Sequence, residues 1–187
     1  MPYIKQEKRP QYNAIVNELI TECLSDKPSI VIVESTIRYS IAYLTNNGTI
    51  VLENSDDWKG ELNYLISKFC HELIDHFGLR YHVLNDIIGI LRSCQNNNEF
   101  TCTILCSYRP SGRLINWKGT FKYFVNNIVG EMRKCKVNYI KDEITGVLEC
   151  IKLELYRQIA AGYEDIKKLE NGPVSELDST SLEDVCD

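Results

Sequence analysis

"IVIVESTIRYSIAYLTNNGTIVL", residues 30–52, decides how much sheet this chain is expected to hold. It is rich in β-branched and aromatic residues, and Ile37, Tyr39, Ile41 and Tyr43 alternate with smaller or polar neighbours. Asn47-Gly48 follows, the strongest short-range signal for a two-residue hairpin turn. The same stretch also carries Ile30, Val33, Ile37, Ile41 and Leu44, which fit one face of a helix. We read it as a hairpin.

Before it, Ile15, Val16, Leu19, Ile20 and Cys23 follow a helical period across Tyr12 to Leu24, and "SDKP" closes that helix. After it, "WKGELNYLISKF" begins at Trp58 and "WKGTFKYFVNNI" begins at Trp117. Leu62, Leu65, Ile66 and Phe69 match Phe121, Phe124, Val125 and Ile128 in register. Further on, "NDIIGIL" from Asn85 matches "DEITGVL" from Asp142. Upstream of the second copy, "FTCTILCSYRPSGRLINW" alternates at Phe100, Cys102, Ile104, Cys106 and Tyr108, and "RPSG" reads as a turn. The expected fold class is mainly α with two small β-hairpins (α+β). It is built as a tandem hairpin-helix-helix duplication in one compact domain over residues 1–172, with repeat cores 58–94 and 117–150. Short repeats bury their faces against each other.

"CHELIDHFGLRYHVLND", residues 70–86, holds all three histidines. The spacing predicts a helix over Asp57 to Phe77, with Leu62, Leu65, Ile66, Phe69, Leu73 and Phe77 on its buried stripe and Gly78 just past its end. A zinc-protease helix needs His at i and i+4 with Glu between. Here Asp75 stands at i+4 from His71, and His76 lies at i+5, about 140° around the helix. The second copy has Gly130 and Lys134 where the first has His71 and Asp75. No metal is expected at His71, His76 or His82. Gly89 and Gly146 recur at matching helical positions, where glycine costs about 1 kcal/mol against alanine, and this suggests close helix approach.

Hydrophobic residues make up 44% and charged residues 25% of the 187 residues, as in ordinary globular chains. No apolar run approaches the roughly 20 residues of a membrane span, and "MPYIKQEKRPQY" does not read as a signal peptide. The expected location is a reducing cytosol. There the eight cysteines, without a C-x-x-C pair, act as small buried hydrophobes. A net charge of −5 argues against direct nucleic-acid binding. The stretch 173–187 has five acids and no base, and reads as a disordered acidic tail.

The second copy runs on where the first breaks off into "RSCQNNN". A helix is expected from Glu143 to Gly172, with Ile144, Val147, Leu148, Ile151, Leu155 and Ile159 on its core stripe. Glu149, Lys152 and Tyr156 share a neighbouring face, with Arg157 and Tyr163 nearby. Glu149–Lys152 and Glu154–Arg157 are also spaced as helix-stabilising pairs. The sequence resembles a family of small uncharacterised proteins frequent in tailed-phage and prophage genomes. They begin M-P-Y-I, open a helix with G-x-L-N-Y and end in I-G-x-L-E-C-x-K-L-E-x-Y-R, then Y-E-D and E-N-G. The matching residues are Met1 to Ile4, Gly60 to Tyr64, Gly146 to Arg157, Tyr163 to Asp165 and Glu170 to Gly172. Gly162 replaces a usual proline, Pro173 replaces an acid, and the middle of the chain is inserted or duplicated. The resemblance implies a phage origin, the host cytosol and a mostly helical fold, and it implies no activity.

With no catalytic constellation, the expected function is a non-enzymatic accessory protein that binds a host factor or sequesters a small signalling nucleotide, as in counter-defence. Its ligand-binding residues would be Glu149, Lys152, Tyr156, Arg157 and Tyr163, because Arg offers a planar fork to an anion and Tyr a stacking face. No cofactor is expected, and homo-oligomerisation is left open. The alternative is a metal-dependent all-α nucleotide pyrophosphohydrolase drawing on Glu61, Glu72, Asp75, Asp86, Glu143, Glu149 and Glu154.

Overall fold

The computed structural model describes residues 4–45, 57–78, 81–96, 108–109, 113–114, 116–134 and 138–172. After a short 3₁₀ turn at Gln6–Lys8, the helices are α1 (Arg9–Leu24), α2 (Ile30–Leu44), α3 (Asp57–Phe77), α4 (Tyr81–Asn96), α5 (Trp117–Lys134) and α6 (Asn138–Leu155). A π turn at Tyr156–Ala160 then leads into α7 (Ala161–Asn171). The chain divides into two compact units, Met1–Lys152 and Leu153–Asp187.

The arrangement is all-α, which corrects the expected α+β class. Residues 30–44, read as the first arm of a hairpin, form α2. Its buried face is Val33, Thr36, Ile37, Ser40 and Leu44, a helical spacing. The two buried hydroxyls are satisfied within the helix itself, Thr36 donating to the Val33 carbonyl (2.8 Å) and Ser40 to the Thr36 carbonyl (2.7 Å). Burial of that stripe against α1 and α5 outweighs the weak strand preference of Ile, Val and Thr. Glu22 of α1 accepts the Ser29 backbone N–H at the start of α2, where a helix dipole favours negative charge. Asn47-Gly48 lies outside the described residues. Of the second expected hairpin, the described part is a two-residue antiparallel ladder, Tyr108 opposite Leu114 and Arg109 opposite Arg113. It is too short to form a layer.

The first unit is built around α3. Leu62, Leu65, Ile66, Phe69, Cys70 and Leu73 are fully buried on it. Helix α1 packs along α3, α2 along α5, and α4 along α5. The Phe69 ring meets Phe121 (5.2 Å) and Phe124 (5.6 Å) edge-on, a favoured aromatic geometry. Helix α3 ends where Gly78 takes φ +78°, a left-handed conformation that side chains other than glycine resist. Of the stripe expected on the last helix, Ile144, Val147, Leu148, Ile151 and Leu155 are buried on α6, while Ile159 is only half-buried. The glycine reading is corrected: Gly89 and Gly146 are exposed, and a Cβ built on either meets nothing within 4 Å. No described helix approaches either within that distance. The segment from Leu153 is helical through α7 and ends at Gly172, φ +84°. The acidic tail, residues 173–187, lies outside the described residues.

Candidate functional site

A helix places residues three and four apart on one face, and α6 does this for Glu149 and Lys152. The Lys152 ammonium meets Glu149 Oε2 at 2.5 Å. Gln95, near the end of α4, closes the group. It donates from Nε2 to Glu149 Oε2 (3.1 Å) and to the Thr145 carbonyl (3.3 Å), and its Oε1 accepts from Lys152 (2.8 Å). Arg133 of α5 donates to the Gln95 carbonyl (2.9 Å). Lys152 is only 10% exposed while Glu149 is 49% exposed, so Gln95 fastens α4 to α6 and leaves the Glu149 carboxylate at the surface. Lys152, with Gln95, holds the Glu149 carboxyl below the usual range.

The remaining expected site residues belong to the second unit. Arg157 grips Glu154 with two bonds, Nε to Oε2 at 3.0 Å and Nη2 to Oε1 at 2.8 Å, and pulls the Glu154 carboxyl below its ordinary value. Tyr156 donates to Glu164 Oε2 (2.5 Å). The Lys167 ammonium lies 5.7 Å from the Tyr163 ring centre. Tyr156 is 47% and Tyr163 48% exposed, and Leu153, Ile166 and Leu169 are more so. Of the five residues named from the sequence, Glu149 and Lys152 belong to the first unit and Tyr156, Arg157 and Tyr163 to the second. The Lys152 side chain is mostly covered beneath an exposed Glu149, and Tyr156, Arg157 and Tyr163 are exposed.

His71 is half-buried on α3, Asp75 and His76 are exposed, and His82 is exposed on α4. His76 touches Phe77 edge-on at 5.0 Å. Among the described residues, no three of His, Cys, Asp and Glu group as a metal ion would need.

Sequence reasoning overlooked a buried polar group in the first unit. Glu61 is 7% exposed at the start of α3. Its Oε1 pairs with Lys8 (2.5 Å), and its Oε2 accepts from the Tyr12 hydroxyl (2.8 Å). Burial, and then the adjacent Glu61 carboxylate, keep the Tyr12 hydroxyl protonated far above the usual phenol range. Tyr12 packs edge-on against Tyr43 (6.2 Å) and Tyr64 (6.4 Å). Tyr64 donates to Asn13 (2.8 Å), and the Arg9 guanidinium lies 5.9 Å from its ring centre. Arg9 also donates to the Ile4 carbonyl (3.3 Å), and a Cβ at Gly60 would sit 3.7 Å from Ile4. The N-terminal "MPYI" and "GELNY" motifs thus meet through Ile4 and Gly60. The available signal was the shared charge and aromatic content of residues 8–13 and 60–64, which lie far apart in the sequence.

A family model described as Domain of unknown function (DUF6899) matches residues 1–110 and again residues 104–174. The chain belongs to the DUF6899 family. The first DUF6899 match contains the Lys8–Tyr12–Glu61 group, and the second contains Glu149 to Tyr163. No curated protein and no solved structure matches the chain.

Proposed function

We propose that this DUF6899 protein is a non-enzymatic accessory protein of phage origin, which binds a host macromolecule or sequesters a small anionic nucleotide in the host cytosol. One observation carries binding over catalysis, the distribution of the carboxylates. Of the acids a metal-dependent pyrophosphohydrolase would draw on, all but Asp75 engage a cation of their own. Glu61 pairs with Lys8, Glu72 with Lys68, Asp86 with Lys118, Glu143 with Lys59, Glu149 with Lys152 and Glu154 with Arg157. Carboxylates that hold Mg²⁺ converge on one point, and these are dispersed, each neutralised separately.

The binding surface in this reading is Tyr156, Arg157 and Tyr163 of the second unit, with exposed Leu153, Ile166 and Leu169 beside them in the sequence. Because Glu154 occupies the Arg157 fork, the arrangement favours a protein partner over a phosphate. No described helix is long and apolar enough to cross a membrane.

The test is native mass spectrometry of the protein purified from infected cells, with a parallel assay of nucleoside triphosphates and Mg²⁺. The expected result is a retained host protein or nucleotide and no turnover. Loss of at least tenfold in affinity is expected for the Tyr156→Phe, Arg157→Ala double variant, about 1.4 kcal/mol, at an unchanged melting temperature. Mg²⁺-dependent pyrophosphate release, abolished by Glu61→Gln or Glu143→Gln, would overturn the proposal.

A further inference from the structure

The two W-K-G turns do the same thing in opposite directions. Lys59 lies 5.9 Å from the centre of the Trp58 ring, and Lys118 lies 5.8 Å from that of Trp117. Each lysine then reaches out of its own repeat. Lys59 pairs with Glu143 of α6 (2.6 Å), and Lys118 pairs with Asp86 of α4 (2.5 Å). Asp86 and Glu143 are themselves equivalent, the second residues of "NDIIGIL" and "DEITGVL". So the lysine of one repeat takes the acid of the other, and the exchange is reciprocal. This is how a two-fold, self-complementary interface works: residue i meets j, and j meets i.

The relation extends to α1 and α2. Tyr64 donates to Asn13, the fifth residue of α1, and the equivalent Tyr123 donates to Glu34 (3.0 Å), the fifth residue of α2. Tyr12, Ile15, Val16, Leu19 and Cys23 are buried on α1, and Val33, Thr36, Ile37, Ser40 and Leu44 on α2, at the same spacing. On α3 and α5 the buried positions also correspond, from Glu61 and Thr120 through Leu73 and Met132. Ile87, Leu91 and Cys94 of α4 match Ile144, Leu148 and Ile151 of α6. The symmetry is approximate, since α4 packs more closely on α5 than α6 does on α3.

We infer that the W-K-G face is a subunit interface closed within one chain. Helices α1, α3 and α4 form one half, α2, α5 and α6 form the other, and the partner this face fits is a second copy of the same three-helix unit. The interface is satisfied internally, so it does not join one chain to another. In the second half α6 leads into the π turn and α7.

A zero-length carbodiimide coupling of the full-length protein, read by peptide mass spectrometry, tests this. An equal mixture of ¹⁴N- and ¹⁵N-labelled protein separates links within a chain from links between chains. The expected products are Lys59–Glu143 and Lys118–Asp86 amides, both within single chains. Lys59–Asp86 or Lys118–Glu143 links within a chain would place the pairs inside each repeat and overturn the inference. So would mixed-isotope links at these residues, or the absence of both expected links under conditions that couple Lys167 to Glu170, a surface pair at 2.5 Å.

Discussion

The Tyr12 hydroxyl donates to Glu61 Oε2 across 2.8 Å, and neither side chain has more than a sliver of contact with solvent. A buried acceptor that loses its donor retains its desolvation penalty, about 1–3 kcal/mol. Tyr12→Phe is expected to destabilise by that amount, read from the urea midpoint. Glu61→Ala is expected to do more, because it strands the Tyr12 hydroxyl and releases Lys8. Wild-type midpoints for both would mean the group contributes nothing to holding α1 on α3.

Phe69 fills the space between Phe121 and Phe124 with no solvent contact. Truncating such a side chain removes its transfer energy and leaves a cavity. Phe69→Ala is expected to lower stability by about 3–5 kcal/mol. Phe69→Leu, which retains most of the volume, should lose far less. Equal losses in the two variants would contradict a close-packed ring cluster.

Thiol chemistry should separate the cysteines. Burial pushes Cys23 and Cys94 up to about 12 and Cys70 higher still, while Cys150 is exposed. Only a thiolate attacks an alkylating agent. At pH 8 iodoacetamide is expected to label Cys150 quickly and to leave Cys23, Cys70 and Cys94 unmodified until the protein is denatured. Rapid labelling of Cys70 in native protein would show that α3 opens.

The two surface pairs predict an acid response with a definite sign. Lys152 holds the Glu149 carboxyl below its usual range, and Arg157 does the same for Glu154. A depressed folded value means the contribution is present above the unfolded value, about 4.3, and is lost as pH falls through the folded one. Both carboxylates lie at the surface, where screening keeps the effect on stability small. Carboxyl ¹³C titration should therefore place both below the unfolded value, and Arg157→Gln should return Glu154 towards it. Titration at the ordinary value in the wild type would show that these pairs do not persist in solution.

Much of the helical framework was legible because burial leaves a periodic trace. The stripe on α3 from Leu62 to Leu73, its stop at Gly78 and the stripe on α6 could be read directly. Residues 30–44 misled because two of the five buried residues of α2, Thr36 and Ser40, carry no apolar signal. Their hydroxyls turn back onto the helix and are satisfied there. The site was less legible. Spacing along α6 paired Glu149 with Lys152 and Glu154 with Arg157, and the pairs formed. What also engaged the first pair was Gln95, a residue of another helix about 50 positions away, and no local pattern announces that. The Glu61 group was missed for the same reason: Lys8, Tyr12 and Glu61 become neighbours only once α1 lies on α3.

Glu61 and Thr120 occupy corresponding places on α3 and α5, one bearing a buried carboxylate and the other a neutral hydroxyl. In an assembly of two identical chains, a single codon writes both places, so a change tolerated on one side must be tolerated on the other. Within one chain each place has its own codon. Glu61 can then co-vary with Lys8 and Tyr12 while Thr120, which donates to the Asn116 carbonyl, answers to its own surroundings, and the two sides are free to inherit separate fates.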